Sequence, residues 1–457
     1  MLQNNQKKES KGRDFLYPKK PAGRLYTYRK WVSYGLLLLL FSCPFLKLNG
    51  EQWVLLNFIE RKFVFFGLIF TPQDFYLFAL AMLIFIIFIV CFTVVLGRLW
   101  CGWACPQTIF MEMVFRRIEF WIEGDKQKQI KLNAQPWNMD KILKKSTKHF
   151  LFLVISFAIA NTFLAYLIGS EKLFSIITEP VHQHVSGFIS IWLFTFLFYT
   201  VFAYVREVVC TVICPYGRLQ GVLLDNQSLI VAYDVNRGEP RGKMQKQNVA
   251  EAKGDCIDCG LCVQVCPTGI DIRKGTQLEC VNCTACIDAC DEVMLKINRP
   301  ERLIGFYNQD YISQQKPFKI GAKAYGYAAV LVMVCMVFSA LIYKRSSIET
   351  TVLRASGTLY QNRGNNQTSN LYNAELINKT NKTVKFEFRA KDQHDQIEFI
   401  QAANVLPKDG SAQITFFLIR NNRQIKEYKS DAAFEVMVDG KVLSQASTSF
   451  FAPPDNE

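Results

Sequence analysis

Apolar residues gather into long runs along the chain, and charge falls almost entirely between them. Five runs are long enough to cross a bilayer, which takes about 20 apolar residues: 31–48, 75–96, 149–169, 185–205 and 324–343. No charge interrupts 75–97 or 324–343, whereas the first run is shorter and carries Pro44. A further apolar patch, 63–70, is too short to span and reads as interfacial. After Lys344 the period changes. Alternation of the type Val384-Lys-Phe386-Glu-Phe388 and Phe434-Glu-Val436-Met-Val438, punctuated by Asp-Gly and Pro-Lys-Asp-Gly, predicts the half-buried strands of an Ig-like β-sandwich. That segment has no cysteine and a single histidine, His394, so it reads as a docking or binding module.

Composition alone decides little. The 457 residues are 50% hydrophobic and 14% aromatic, which excludes disorder and leaves the class open. The formal charge of +14 could suggest nucleic acid, but its distribution says otherwise. Nine basic and two acidic residues precede the first run, and ten basic and five acidic lie between the second and third. The loops after the first and third runs carry only Lys47, Arg61, Lys62 and Lys172 as basic residues. This asymmetry places the N-terminus and the second and fourth loops in the cytoplasm and the C-terminal tail outside. No cleavable signal peptide is expected, because the first 30 residues are polar. The expected divisions are a cytoplasmic segment 1–30, a four-helix region 31–205, a cytoplasmic loop 206–323, a fifth span 324–343 and an outward sandwich 344–457.

Twelve of the 15 cysteines fall into short motifs. Cys256-x2-Cys259-x2-Cys262-x3-Cys266-Pro267 is followed by Cys280-x2-Cys283-x2-Cys286-x3-Cys290. Such runs bind two 4Fe–4S clusters with crossed ligation, three thiolates from one run and the fourth from the other. The expected sets are Cys256, Cys259, Cys262 and Cys290 for the first cluster, and Cys280, Cys283, Cys286 and Cys266 for the second. Structural zinc also uses C-x2-C pairs, but does not require triplets followed by a fourth cysteine three residues on. Asp291 stands where the first run has Pro267, leaving the ligands intact.

A second pair of motifs forms an internal repeat. Cys101-Gly-Trp-Ala-Cys105-Pro106 follows the second run, and Cys210-Thr-Val-Ile-Cys214-Pro215 follows the fourth. Arginine precedes each, Arg98 by three residues and Arg206 by four. Cysteines at i and i+4 share a helix face, so four thiols from two helix ends could converge on one soft metal site. The arginines are expected to favour thiolates. Cys43, Cys91 and Cys335 read as packing residues. His182 and His184 read as an interfacial polar loop, and Met111 and Met113 as gap fillers more readily than soft ligands.

These motifs, in this order with the terminal sandwich, resemble the cytochrome c oxidase accessory protein family CcoG, also called FixG or RdxA. The paired C-x3-C-P motifs are shared with other membrane polyferredoxins such as NapH. The span and sandwich after the ferredoxin favour CcoG. The resemblance implies a bacterial inner-membrane cupric reductase that supplies copper(I) during assembly of cbb-type oxidase, with a periplasmic sandwich. It implies a copper role for Cys101, Cys105, Cys210 and Cys214. The partners implied are a cytoplasmic electron donor and copper-chaperone, copper-transport or oxidase-assembly proteins, with no nucleic acid and homo-oligomerisation open. The competing expectations are a quinol-oxidising electron-transfer subunit and a non-enzymatic assembly scaffold.

Overall fold

The computed structural model describes residues 16–453, apart from 49, 60–61, 71–73, 243–253, 317, 356, 358, 365, 381, 409 and 426. Residues 1–15, with much of the N-terminal charge, and the start of the expected ferredoxin segment at 250–253 lie outside the described residues. The chain divides into two compact units. The first comprises Met1–Cys43 with Ala81–Cys335, and the second Pro44–Leu80 with Met336–Glu457.

Among the described residues, four helices are long and apolar enough to cross a membrane: Phe75–Leu96, Met139–Ile168, Val185–Val205 and Ala322–Tyr343. The first expected span differs. A helix runs over Arg24–Ser42 and ends in a 3-10 turn at Cys43–Phe45, where Pro44 cannot supply the next backbone donor. Its first two turns are polar, so it falls below the four in apolar length. Its start is set by tertiary contact: Asp288 accepts hydrogen bonds from the Leu25 and Tyr26 amides at 3.1 and 2.7 Å, meeting two orphan donors of the first turn.

In the first unit, Met139–Ile168 and Val185–Thr200 pack as a helical hairpin. At its base Phe115 stacks on Phe202 with centroids 4.4 Å apart and meets Phe152 edge-on at 4.8 Å. The cysteine-rich module is framed by antiparallel strands Ile230–Tyr233 and Ile304–Tyr307. Val231, Tyr233, Ile272, Ile287, Leu303 and Ile304 fill its core.

In the second unit, 63–70 is not a flat patch. It contributes to a three-stranded meander of Val54–Asn57, Lys62–Phe65 and Leu68–Phe70. Among the described residues the tail forms two larger antiparallel sheets and a short antiparallel pair, Val384–Lys385 with Val405–Leu406. Of the larger sheets, one orders Gln396–Gln401, Ser411–Asn421, Gln367–Asn378 and Ile348–Arg354, and the other Glu387–Ala390, Lys429–Val438 and Lys441–Phe451. In the first alternating pattern Phe386 and Phe388 are buried while Lys385 and Glu387 face solvent. In the second, Glu435 is buried along with Phe434 and Val436, held by Arg389 at 2.9 Å. Asp439-Gly440 turns the last hairpin with φ of 48° and 77°, as a two-residue loop demands.

Candidate metal centres

The two ferredoxin runs fold as copies of one loop. Asp258 and Asn282 hold φ of 53° and 51°, and Gly260 and Thr284 hold 67° and 65°. These are equivalent positions on either side of the second cysteine of each run. Left-handed residues there curl the chain so that three thiols face inward, and short helices, Leu261–Gln264 and Ala285–Lys296, follow. One cavity is lined by Cys266, Cys280, Cys283 and Cys286, with Cys262 at its edge. Another is lined by Cys256, Cys259, Cys262 and Cys290. Each cavity thus gathers three thiols of one run with the fourth of the other. Among the described residues no three His, Cys, Asp or Glu side chains close on a single ion. Thiols round a polynuclear cluster stand further apart than the ligands of one tetrahedral zinc, whose Zn–S bonds are about 2.3 Å. The donor set, three thiols of one run with a fourth from the other, fits 4Fe–4S clusters.

Burial pushes several of these thiols up, Cys262 and Cys283 to about 11 and Cys280 and Cys290 to about 12. They keep their protons until metal displaces them. Cys259 is exposed. The Asp291 that replaces a proline accepts the Arg302 amide at 2.7 Å and so closes the end of the module.

The C-x3-C-P motifs repeat in backbone as well as in sequence. Cys105 (φ −63°, ψ 123°) and Cys214 (φ −68°, ψ 112°) are both extended N-caps, each followed by proline at the first helical position. Proline disfavours helical geometry at the residue before it. The expected shared helix face is therefore broken: Cys101 sits in Leu99–Trp103, which ends before Cys105, and Cys210 sits in a π-helical turn, Val209–Ile213. Four residues before each first cysteine the chain turns with positive φ, at Gly97 (57°) and Arg206 (55°). The four thiols nevertheless come within electrostatic reach of one another.

Of the two arginines, Arg98 pulls Cys101 as the sequence suggests but is outweighed. Burial dominates, raising Cys101 to about 12 against an opposing pull from Arg98, and raising Cys210 to about 11. Arg206 is engaged elsewhere, in a two-pronged pair with Glu119 at 3.0 and 2.9 Å. Arg98 donates from Nε to Gln220 Oε1 at 2.9 Å and from Nη2 to the Gly217 carbonyl at 2.8 Å. Cys101 Sγ donates to the same Gln220 oxygen at 3.2 Å. Sequence reasoning missed Gln220. Its only signal was register, four residues after Tyr216 on the helix that the second motif opens.

The first motif packs on the second ferredoxin run. Cys101, Val281, Cys283, Val265, Ala285 and Ala289 form one buried cluster. On the Cys210 side, a small cavity is lined by Thr108, Met111, Glu112, Glu207, Pro267 and Thr268, among others. Met111 thus borders a thiol. Cys43 is buried, while Cys91 and Cys335 are half-buried. His184 is bonded to Glu179 at 2.6 Å.

Comparison with known proteins fits this arrangement. Residues 205–309 match a 4Fe-4S dicluster domain, 78–128 a 4Fe-4S binding domain, and 338–453 the IG-like fold at the C-terminus of FixG. Protein RdxB of Cereibacter sphaeroides is 31% identical over 399 residues, covering 84% of this chain and 83% of that protein. The chain belongs to the FixG/RdxA family. Nitrogen fixation protein FixG of Rhizobium meliloti is 38% identical over 300 residues, 64% of this chain, and Protein RdxA of C. sphaeroides is 36% identical over the same length. Those two alignments span 56% and 62% of the relatives' own lengths. A crystal structure of a FixG-related protein from Vibrio parahaemolyticus aligns with 24% of this chain and 99% of its own at 15% identity, with a TM-score of 0.21, too low to bear on the fold. With two 4Fe-4S domain matches and four helices long and apolar enough to cross a membrane among the described residues, the protein carries iron–sulfur domains beside a membrane part.

Proposed function

We propose that the protein is a cupric reductase: copper(II) takes one electron, supplied by a cytoplasmic donor, and leaves as copper(I) for assembly of cbb-type cytochrome c oxidase. The observation that carries this reading is the packing of Cys101 against Val281 and Cys283, which sets the thiol quartet beside the second ferredoxin run. In this reading Cys256, Cys259, Cys262 and Cys290 hold one cluster and Cys280, Cys283, Cys286 and Cys266 the other. When bound, such clusters supply one-electron carriers. The exposed Cys259 leaves a donor a place to approach the first thiol set. Cys101, Cys105, Cys210 and Cys214 receive the copper substrate. Copper(I) is satisfied by few, soft ligands, so two converging thiolates favour it over copper(II) and draw the reduction forward. The polar segments 1–30 and 206–323 face the cytoplasm of a bacterial inner membrane and 344–457 faces the periplasm, and copper-chaperone, copper-transport or oxidase-assembly proteins receive the ion.

The test uses the full-length protein purified without oxygen and reduced with dithionite. It is expected to reduce copper(II), read as a coloured copper(I) chelate, with matching reoxidation of its visible absorption. The double variant Cys101→Ala, Cys210→Ala should keep its iron and lose copper binding and at least tenfold in rate. Unchanged copper binding and reduction in that variant would end the copper assignment. Centres that dithionite cannot reduce, or that copper(II) cannot reoxidise, would favour an assembly scaffold instead.

A further inference from the structure

Where the first C-x3-C-P motif meets the second ferredoxin run, three buried N–H groups lack an acceptor: Arg29 Nη2, Arg98 Nη1 and Asn282 Nδ2. Their residues are 1%, 3% and 2% exposed. Arg98 is the most telling, because both acceptors it does use, Gln220 Oε1 and the Gly217 carbonyl, are neutral. Its guanidinium is thus a buried cation without a carboxylate partner among the described residues. Leaving a buried charge uncompensated is strongly unfavourable, so its retention calls for an anion that the described side chains do not supply.

The surroundings say where that anion lies. The backbone of Gly102 sits so close to the second run that a Cβ there would fall 2.5 Å from the Val281 carbonyl oxygen. A Cβ on Gly97, next to Arg98, would fall 3.2 Å from Asn282 Nδ2. Arg98 shares the Gln220 Oε1 acceptor with Cys101, Cys101 packs against Cys283, and Cys280 donates to Asn282 Oδ1 at 3.5 Å, so the guanidinium stands between the quartet and the second cavity. The first cavity is furnished differently. Its cation, Arg273, is already paired with Asp271 and Asp258, and Asp291 adds negative charge beside Cys290.

We propose that Arg98 is a counter-cation shared by the second cluster and the thiol quartet, and that it holds the potential of the second cluster above that of the first. The inference rests on the assignment of Cys266, Cys280, Cys283 and Cys286 as cluster ligands. Reduction adds one negative charge in a water-poor site, and an unpaired guanidinium nearby stabilises that charge and raises the potential. Arg98 is neither ligand nor catalytic residue; it acts through the field. The resulting gradient runs from the exposed thiol set at Cys259 inward to the quartet.

The experiment is an EPR-monitored redox titration of the full-length protein, purified without oxygen and free of copper. Wild type should show two midpoints. Arg98→Gln should lower the higher one and leave the lower in place, at unchanged iron and sulfide content, and Arg98→Lys should keep most of the wild-type value. Should Arg98→Gln lose iron, Gln220→Glu tests the same point, since a carboxylate at Arg98 Nε neutralises the charge with little change of shape. Two wild-type midpoints unmoved in every iron-replete variant, or moved equally, would overturn the inference alone. A wild type with fewer than two reducible centres would overturn the cluster assignment and the inference with it.

Discussion

Single residues at the junction of motif and ferredoxin are held by backbone approach more than by side-chain contact. Gly102→Ala must displace the Val281 carbonyl, 2.5 Å from the new Cβ, and backbone on both sides resists. The expected cost is about 1–3 kcal/mol, the range for overpacking, with loss of iron from the second site. Gly260→Ala is the control, since its Cβ meets nothing within 4 Å and bears only the strain of φ +67°. It should cost about 1 kcal/mol and keep full iron, both read by thermal unfolding and metal analysis. Arg206 is the opposite case: it occupies the turn that glycine fills in the other repeat, a conformation costing about 1–3 kcal/mol, and the Glu119 pair holds it there. Glu119→Gln should therefore lose about 3–5 kcal/mol, visible as a lower midpoint of unfolding in detergent. Spacing made the twelve cysteines legible. The net shift of the Cys101 thiol was not, because the burial that outweighs Arg98 and the diversion of Arg206 to Glu119 are tertiary facts.

Among elements, the strongest sequence signals were the cleanest: Phe75–Leu96 and Val185–Val205 have the expected bounds because nothing polar competes within them. The helix Arg24–Ser42 was misjudged at both ends, since Asp288 starts it and Pro44 stops it. The prolines of the two motifs also matter more than their place in a short pattern suggested. Each forces its preceding cysteine out of helical geometry, and replacing both, Pro106→Ala with Pro215→Ala, should let Cys105 and Cys214 rejoin the helices. Several-fold slower copper(II) reduction at full iron content is expected. In the second unit, Asp74 binds Arg345 and Lys379 at 2.6 and 2.7 Å. Burial would raise this carboxyl, but the two cations more than offset it, and it titrates below its ordinary 3.8. A depressed folded pKa contributes stability above the unfolded value that is lost as pH falls through the folded one. Hydrogen exchange in strand Ile348–Arg354 should thus quicken below about pH 4 in wild type. Asp74→Asn should be quicker already at pH 7 and show less added loss on acidification.

At the scale of the whole molecule, the proposed topology has a parity that can be tested. Arg29 donates to the Gly102 carbonyl at 2.7 Å, and Leu25 and Tyr26 bind Asp288, so the start of the first helix lies on the ferredoxin side. The far end of Phe75–Leu96 lies there too, since Ser228 and the Leu229 amide bond the carbonyls of Val94 and Val95 at 2.7 and 3.0 Å. One full span between two points on the same side requires a second. Among the described residues Arg24–Ser42 is the helix available for it, although its polar first turns keep it below the length the other four reach. The proposed topology has five crossings, and under it the loop around Phe58 and the sandwich face the periplasm. An impermeant maleimide applied to intact spheroplasts should label Phe58→Cys and Leu443→Cys, both at exposed positions, and should label Trp137→Cys only after lysis. Labelling of Phe58→Cys only after lysis would overturn the five-crossing topology, because Phe75–Leu96 would then begin and end on one side of the membrane.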